Sequence, residues 1–202
     1  MKIIPFVFIL AYLSCNGQQN SIGLKDELES IYGSDQFYRE KISKLAPSDI
    51  QFLELWKKQE HVDSINIRRA IVIIDSIGVP GRTLVGDSAS KAIFFVIQHS
   101  NINYQEKYLP LFIKSAKSGE LDWKLVAMMI DRIKVNKNEK QIYGTQIVPI
   151  KDPVTGYITD KCEFAPIEDE KNVNLKRKSV GHGTIEEYAK KFGIEYKLKN
   201  DR

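Results

Sequence analysis

The segment YGTQIVPIKDPVTGYITDKCEF, from Tyr143 to Phe164, decides the fold class of this chain. Apolar residues recur in it with a period of two, which predicts β-strands. Two such runs flank the sequence KDPVT, whose Asp and Pro favour a turn, and Gly156 closes that turn. The segment therefore predicts a β-hairpin in the C-terminal half of the chain.

Upstream of the hairpin, apolar residues recur every three to four positions, which predicts helices. Glycine and proline divide this region. We expect a helix to stop near Gly33, the next to break at Pro47, and later ones to end at Gly78 and Gly119. Residues that suit helix starts are Ser34 or Asp35, Ser48, Asp63, Asp87 and Asp122.

Downstream of the hairpin, the sequence predicts two short helices. Thr184 and Glu187 have the spacing of a capping box for the last helix, and Gly193 ends it. The expected fold is α+β: a mostly helical single domain with a β-hairpin in its C-terminal half, followed by short helices. Parallel strands alternating with helices do not occur in the pattern, which argues against a doubly wound fold.

The N-terminus, MKIIPFVFILAYLSC, has the pattern of an export signal. Its apolar run, Ile3 to Leu13, is about half of the ~20 residues that a membrane span needs, so we interpret it as a signal peptide. Ser14 before Cys15 fits cleavage by a lipoprotein signal peptidase, which predicts a lipid on Cys15. Tyr12 makes this site weaker than a Leu would, and secretory cleavage without a lipid is the alternative.

These features predict three regions: a signal peptide over residues 1–15, a flexible tether over 16–22 and a globular domain over 23–202. We expect an exported cell-envelope protein, on the periplasmic side or at the cell surface, joined to the membrane through Cys15. Without the signal, 29 basic and 26 acidic residues remain. This mild excess is spread along the chain and predicts no nucleic-acid partner. The basic run Lys176–Lys178 is interpreted as a solvated helix face.

No cofactor and no metal is predicted. The chain has no HxH, HExxH or CxxC pattern, and GDSAS at Gly86–Ser90 does not have the spacing of a phosphate loop. A lipid on Cys15 leaves Cys162 without a disulfide partner. We interpret Cys162 as a buried, inert thiol on an apolar strand face.

His99 is the strongest candidate for chemistry because it ends a strongly apolar helix, on the face of Ala92 and Val96. Burial of an unpartnered imidazole is unfavourable. Two readings stay open: a general base facing a pocket, or a core histidine bonded to a carbonyl or carboxylate.

Asp131 and Arg132 end another helix, and neighbours on a helix point about 100° apart. We expect Arg132 to face the core edge, in register with Leu125 and Met129. An inward arginine needs an acid or an anionic ligand, so a salt bridge and a substrate clamp are both open.

Three further residues, Asp35, Gln36 and Arg39, lie within about one helical turn, and Asp35 and Arg39 have the spacing of an ion pair. In the first predicted strand, Gly144 indicates a bulge or a close approach by a backbone or ligand. Tight packing against a helix is the alternative reading.

Taken in order, these residues resemble a bacterial family of unknown function with DQ, GWP, QH, DR, YGTQ and PIED signatures. The resemblance covers Asp35 to Tyr188. Val79 stands where the family usually has Trp, and Asn174 where an Asp is common. The resemblance implies shared polar residues and no assigned activity. The matching residues are Asp35-Gln36-x-x-Arg39, Asn66, Gly78-Val79-Pro80, Val85-Gly86, Gln98-His99, Gln105, Leu109-Pro110, Asp131-Arg132, Gln141, Tyr143-Gly144-Thr145-Gln146, Pro166-Ile167-Glu168-Asp169, Asn172-Val173-Asn174, Arg177 and Gly181.

Three hypotheses for function remain open from the sequence. The first is an envelope enzyme, a hydrolase or transferase, with His99 as acid–base group oriented by Asp131 or Asp35, and with a pocket for a small polar or anionic ligand. The second is a non-catalytic module that binds such a ligand or a peptide. The third is a buried polar network without a ligand. The candidate ligand-binding residues are Asp35, Gln36, Arg39, Arg132, Tyr143 and Gln146.

Overall fold

A computed structural model describes the backbone of residues 7–46 and 49–197, and the side chains from residue 22 onward except residue 160. The start of the signal peptide, the side chain of Cys15 and the predicted cap at Ser48 lie outside this description. Tertiary contacts divide the chain into two compact units, residues 1–99 and 100–202. The single domain predicted over residues 23–202 and the tether predicted over 16–22 stay predictions.

The first unit consists of helices. They are α1 (Val7–Ile42), α2 (Ile50–Ile77), α3 (Arg82–Val85) and α4 (Ala92–Gln98), and a 3₁₀ turn, Ala89–Lys91, precedes α4. Helices α1, α2 and α4 pack against one another. The core of this unit is formed by apolar side chains that are almost fully buried. Among them are Leu28, Ala70, Ile74, Ile93, Phe94 and Ile97.

The predicted helix break near Gly33 is wrong, since α1 continues through it to Ile42. A glycine inside a helix costs about 1 kcal/mol relative to alanine, and tertiary burial on both sides of Gly33 outweighs this cost. Leu28 and Ile31 before it, and Asp35 after it, are all buried. Asp35 therefore lies inside the helix and does not cap one.

Helix α2 starts one residue later than predicted. Its cap is Asp49, whose side chain accepts a hydrogen bond from the amide of Gln51 at 2.8 Å. The helix runs through Asp63 without a restart and ends at Gly78, as predicted, where φ is +77°.

The second unit contains helices and the hairpin. Its helices are α5 (Ile102–Lys117), α6 (Trp123–Asn136), α7 (Val173–Ser179) and α8 (Ile185–Lys190). Its strands are β1 (Ile147–Lys151) and β2 (Ile158–Phe164), which pair antiparallel. A 3₁₀ turn, Glu170–Asn172, precedes α7. The mostly helical α+β class is thus confirmed, as is the capping box of Thr184 and Glu187.

The first strand begins at Ile147 and not at Tyr143, so the prediction that the YGTQ residues belong to a strand is wrong. These four residues form a loop between α6 and β1. The amides of Tyr143 and Thr145 donate to buried Asp131, and the amide of Gln146 donates to buried Gln141, so these amides do not pair with a neighbouring strand. Cys162 is half-buried on β2, more exposed than predicted. Within the described residues, no helix has both the length and the apolar character that crossing a bilayer requires.

Candidate functional site

The side chains of Asp35 and His99 meet in the first unit. Asp35 lies on the buried face of α1, one turn after Ile31, and is 1% exposed. His99 caps the C-terminus of α4. Its Nδ1 lies 3.0 Å from Oδ2 and 3.1 Å from Oδ1 of Asp35. The structure thus joins two residues that are 64 positions apart in the sequence.

The Asp35–His99 pair is placed by its neighbours. The imidazole of His99 stacks on the ring of Phe95 with centroids 6.0 Å apart, and Phe95 in turn contacts Tyr32 of α1. The side-chain amide of Gln36 donates through Nε2 to Oδ2 of Asp35 at 2.7 Å. The His99 side chain is 18% exposed, so one edge of the ring is accessible to solvent while another contacts Asp35.

Arg39 connects Asp35 to the helix α2. Its Nε lies 3.7 Å from Oδ2 of Asp35, and its Nη2 donates to both carboxylate oxygens of Asp63 at 2.6 Å. Gln59, which is 1% exposed, also donates to Asp63, at 2.7 Å. The predicted ion pair of Asp35 and Arg39 is therefore part of a larger network.

In the second unit, the carboxylate of Asp131 binds the loop that precedes β1. Asp131 is fully buried, and it accepts hydrogen bonds from the backbone amides of Ile142, Tyr143 and Thr145 at 2.7 to 3.1 Å. The hydroxyl of Thr145 donates to it at 2.9 Å. Four donors satisfy the buried charge, as burial of a carboxylate requires.

At the end of α6 the fully buried residue is Asp131, which the sequence did not predict, while Arg132 lies at the edge of the core with a buried Nε. Arg132 is half-buried. A carboxylate can be buried here because the following loop supplies backbone donors, which a helical pattern does not reveal.

Arg177 holds the same loop from its carbonyl side. Its Nη1 donates to the carbonyls of Tyr143 and Gly144 at 2.9 and 3.0 Å, and its Nε donates to Gly183 at 2.7 Å. The guanidinium lies over the ring of Tyr188, 5.0 Å from the centroid. Burial lowers the pKa of Arg177. The interpretation of this basic run as a fully solvated face is wrong, since Arg177 is 2% exposed.

The loop also packs closely against a helix. At Gly144, φ is +61°, and a Cβ there would lie 2.7 Å from Cδ1 of Ile185 in α8 and 3.2 Å from Cδ1 of Ile167. Of the two readings of Gly144, tight packing against a helix is therefore the one observed. The buried side chain of Gln141 bonds the carbonyl and amide of Gln146 and the carbonyl of Ala165.

The other two predicted ligand-binding residues of this unit are part of the same loop. The Gln146 side chain donates to the hydroxyl of Thr145 at 3.0 Å and to the carbonyl of Met128 at 3.3 Å. Tyr143 is half-buried, and burial, with the charge of Asp131, raises the pKa of its phenol. Ligand-binding roles for Arg132, Tyr143 and Gln146 stay predictions.

A cleft of about 560 Å³ lies elsewhere in the second unit. Phe164 and Tyr196 form part of its wall with their ring centroids 5.1 Å apart, and the hydroxyl of Tyr196 donates to Glu170 at 2.6 Å. Pro166, Ile167 and Lys140 also line it. The described residues contain no group of three His, Cys, Asp or Glu side chains suited to a metal ion.

Sequence reasoning missed Asp63, Gln59 and the buried role of Arg177. The sequence pattern indicates Asp63 only as a helix start, and its partner Arg39 lies 24 residues away. Arg177 stands between two lysines, so composition gives no signal for its burial. Its presence among the residues of the family resemblance was the only available indication.

The chain matches the model of a known protein family. The model of a family of unknown function, DUF6624, matches residues 22–201. The chain belongs to the DUF6624 family. The match covers every residue of the candidate site described in this section, from Ile31 in α1 to Tyr196. No match to the chain is found among curated proteins or among solved structures.

Proposed function

We propose that this DUF6624 protein is a lipid-anchored cell-envelope enzyme, a hydrolase or a transferase, with His99 as its general base. The observation that carries the proposal is the contact between Nδ1 of His99 and the buried carboxylate of Asp35. An ionised carboxylate only accepts hydrogen bonds, so Nδ1 carries the proton of the neutral ring. The lone pair on Nε2 is then available to accept a proton from a reactant.

The chemistry that follows is proton transfer at Nε2. His99 takes a proton from water or from a hydroxyl nucleophile, and Asp35 stabilises the imidazolium that forms. The same proton can then pass to the leaving group. The contact to Asp35 uses Nδ1, so the second ring nitrogen, Nε2, is the one left to act on a reactant. The 18% exposure of the side chain supports access for a small substrate.

The test is a panel of ester, amide and phosphoester substrates with the purified protein and three variants. We expect His99→Ala to reduce kcat/KM by about 10²- to 10⁴-fold, the range of general acid–base catalysis. Asp35→Asn should reduce kcat/KM at least about 10²-fold, since it removes the orienting charge. His61→Ala is the matched control, because His61 is an exposed histidine of the same unit, and it should retain activity. Equal turnover by all four proteins contradicts the proposal.

A ligand-binding module without catalysis is the second candidate. The cleft beside Phe164 and Tyr196 favours it, since its volume lies within the range of small-molecule sites. No turnover on any substrate, together with a ligand-dependent rise of Tm that Tyr196→Ala abolishes, would support the binding module over the enzyme.

A further inference from the structure

The carboxylate of Asp35 belongs to a chain of charged groups that crosses three helices. Asp63 of α2 binds Arg39 of α1, Arg39 lies beside Asp35, and Asp35 contacts His99 after α4. These groups become progressively more accessible away from Asp35. The exposed side-chain fractions are 1% for Asp35, 20% for Arg39 and 32% for Asp63.

Arg39 acts on Asp35 through its charge and its position. Its Nε is buried and has no hydrogen-bond partner among the described residues, and 3.7 Å to Asp35 is an ion-pair distance too long for a hydrogen bond. Its other end is fixed by the two short bonds to Asp63. The guanidinium is therefore anchored on α2, and it presents its positive charge to the carboxylate that contacts His99.

We propose that Arg39, anchored by Asp63, is a positioning residue that holds the carboxylate of Asp35 in place against His99, and thereby keeps the proton of neutral His99 on Nδ1. This inference rests on the proposed role of His99. It assigns to Arg39 an indirect part in proton transfer in place of the ligand contact that the sequence indicated. Gln36 supplies a neutral second donor to Asp35 and cannot replace the charge.

A simple link between α1 and α2 is the competing explanation for the Arg39–Asp63 pair. The same two helices are joined by a second ion pair, in which Nη2 of Arg69 donates to Glu27 at 2.8 Å. Both of those side chains are more exposed than Arg39, and neither bonds to Asp35 or His99. The Arg69–Glu27 pair is therefore a matched control for helix linkage without contact to the histidine.

The experiment reads the tautomer of His99 directly. The chain has three histidines, so labelling the full chain with ¹⁵N-histidine gives three ring signals, which His61→Gln and His182→Gln assign. At a pH where the rings are neutral, we expect the Nδ1–H form for His99, the form that a free histidine side chain disfavours. Arg39→Gln should convert this signal to a mixture of both tautomers. Arg39→Lys keeps the charge and should retain the wild-type pattern.

The control and the remaining variants separate the outcomes. Arg69→Gln should leave the His99 signals unchanged. If Arg39→Gln does not fold by circular dichroism, Asp63→Asn provides the same readout. Suppose that Asp35→Asn alters the His99 signal. If Arg39→Gln, or Asp63→Asn where Arg39→Gln does not fold, then leaves that signal unchanged, the proposed role of Arg39 is overturned. An Nε2–H form in the wild type, or no effect of Asp35→Asn, contradicts the proposed function itself.

Discussion

Two buried residues of opposite charge hold the YGTQ loop from its two sides. The carboxylate of Asp131 accepts hydrogen bonds from the amides of Tyr143 and Thr145. The guanidinium of Arg177 donates to the carbonyls of Tyr143 and Gly144. Each residue satisfies backbone groups that neither a helix nor a strand pairs. The polar residues of this loop thus have a structural explanation that requires no ligand.

Removal of the carboxylate at Asp131 should strongly destabilise the second unit. Asp131→Ala leaves three backbone amides and the Thr145 hydroxyl without their acceptor, and each buried donor left unsatisfied costs about 1–3 kcal/mol. We expect a loss of about 3–5 kcal/mol in the free energy of unfolding, measured by urea denaturation.

The control for this variant is Asp152→Ala in the hairpin turn. Asp152 accepts a similar set of bonds, from the amides of Val154 and Thr155 and from the Thr155 hydroxyl, but in a solvent-exposed turn. Water can replace it there, so this change should have a much smaller effect. Similar losses for both variants would show that burial of Asp131 is not what makes it important.

Residue-level prediction succeeded where the signal was local. Asp35 lies seven residues after Leu28 and four after Ile31, so the helical spacing places it on the same buried face of α1. The prediction that Asp35 caps a helix hides this position. His99 was identified because a polar residue interrupts an apolar helix face. The inward position of Asp131 was missed because its partners are backbone amides of a later loop, and backbone groups leave no trace in a side-chain pattern.

At the level of elements, the YGTQ loop packs tightly against helix α8. Gly144 rests on the end of Ile185, which is fully buried, and on Ile167. A positive φ and the lack of space for a Cβ both require glycine here. The sequence indicated a close approach at Gly144, but only the tertiary structure identifies α8 as the neighbour.

Gly144→Ala should destabilise the protein through both effects. We expect a loss of about 1–3 kcal/mol from overpacking, in addition to the backbone strain. Gly156→Ala is the control, since its φ is +71° and a Cβ there meets open space, so it measures strain alone. Ile185→Val removes the Cδ1 methyl group and should recover part of the loss when combined with Gly144→Ala. Thermal unfolding of the four proteins gives the comparison.

The segment between α7 and α8 should respond to pH through His182. Its Nε2 lies 3.1 Å from the carbonyl of Lys124 in α6, and burial, followed by the charge of Arg177, lowers its pKa from the ordinary value of 6.5. The unfolded chain therefore binds more protons than the folded one as pH falls below 6.5, and stability decreases in that direction. His182→Gln should reduce this loss between pH 7.5 and 5, measured by urea denaturation. An identical pH dependence in the variant would contradict this role.

For the whole molecule, helical periodicity and the hairpin signal were sufficient to predict the α+β class. They did not predict which residues form each compact unit, because an apolar stripe shows that a helix is buried and not what covers it. Helix α1 illustrates the point: the propensity of Gly33 favoured two helices, and burial of Leu28 and Ile42 in the first unit favoured one.

The predicted cellular address is also a property of the whole chain, and that prediction rests on Cys15. If Cys15 carries a lipid, the wild-type protein should partition with membranes and incorporate labelled palmitate. Cys15→Ser should abolish the label. Cys162→Ser is the matched control and should leave both results unchanged. Wild-type protein without label, found in the soluble fraction, would support plain secretion.

The two-stranded hairpin has a consequence for solubility. In the described part of the chain, β1 and β2 form a sheet of two strands, so both strands are edges. The unpaired backbone N–H and C=O groups of an edge strand can bind a strand of another molecule, which starts aggregation. Pro149 removes one donor from β1, the register shifts between Pro149 and Lys151, and Lys161 places a charge on β2. These features discourage intermolecular strand pairing and so protect the folded protein against aggregation at the hairpin.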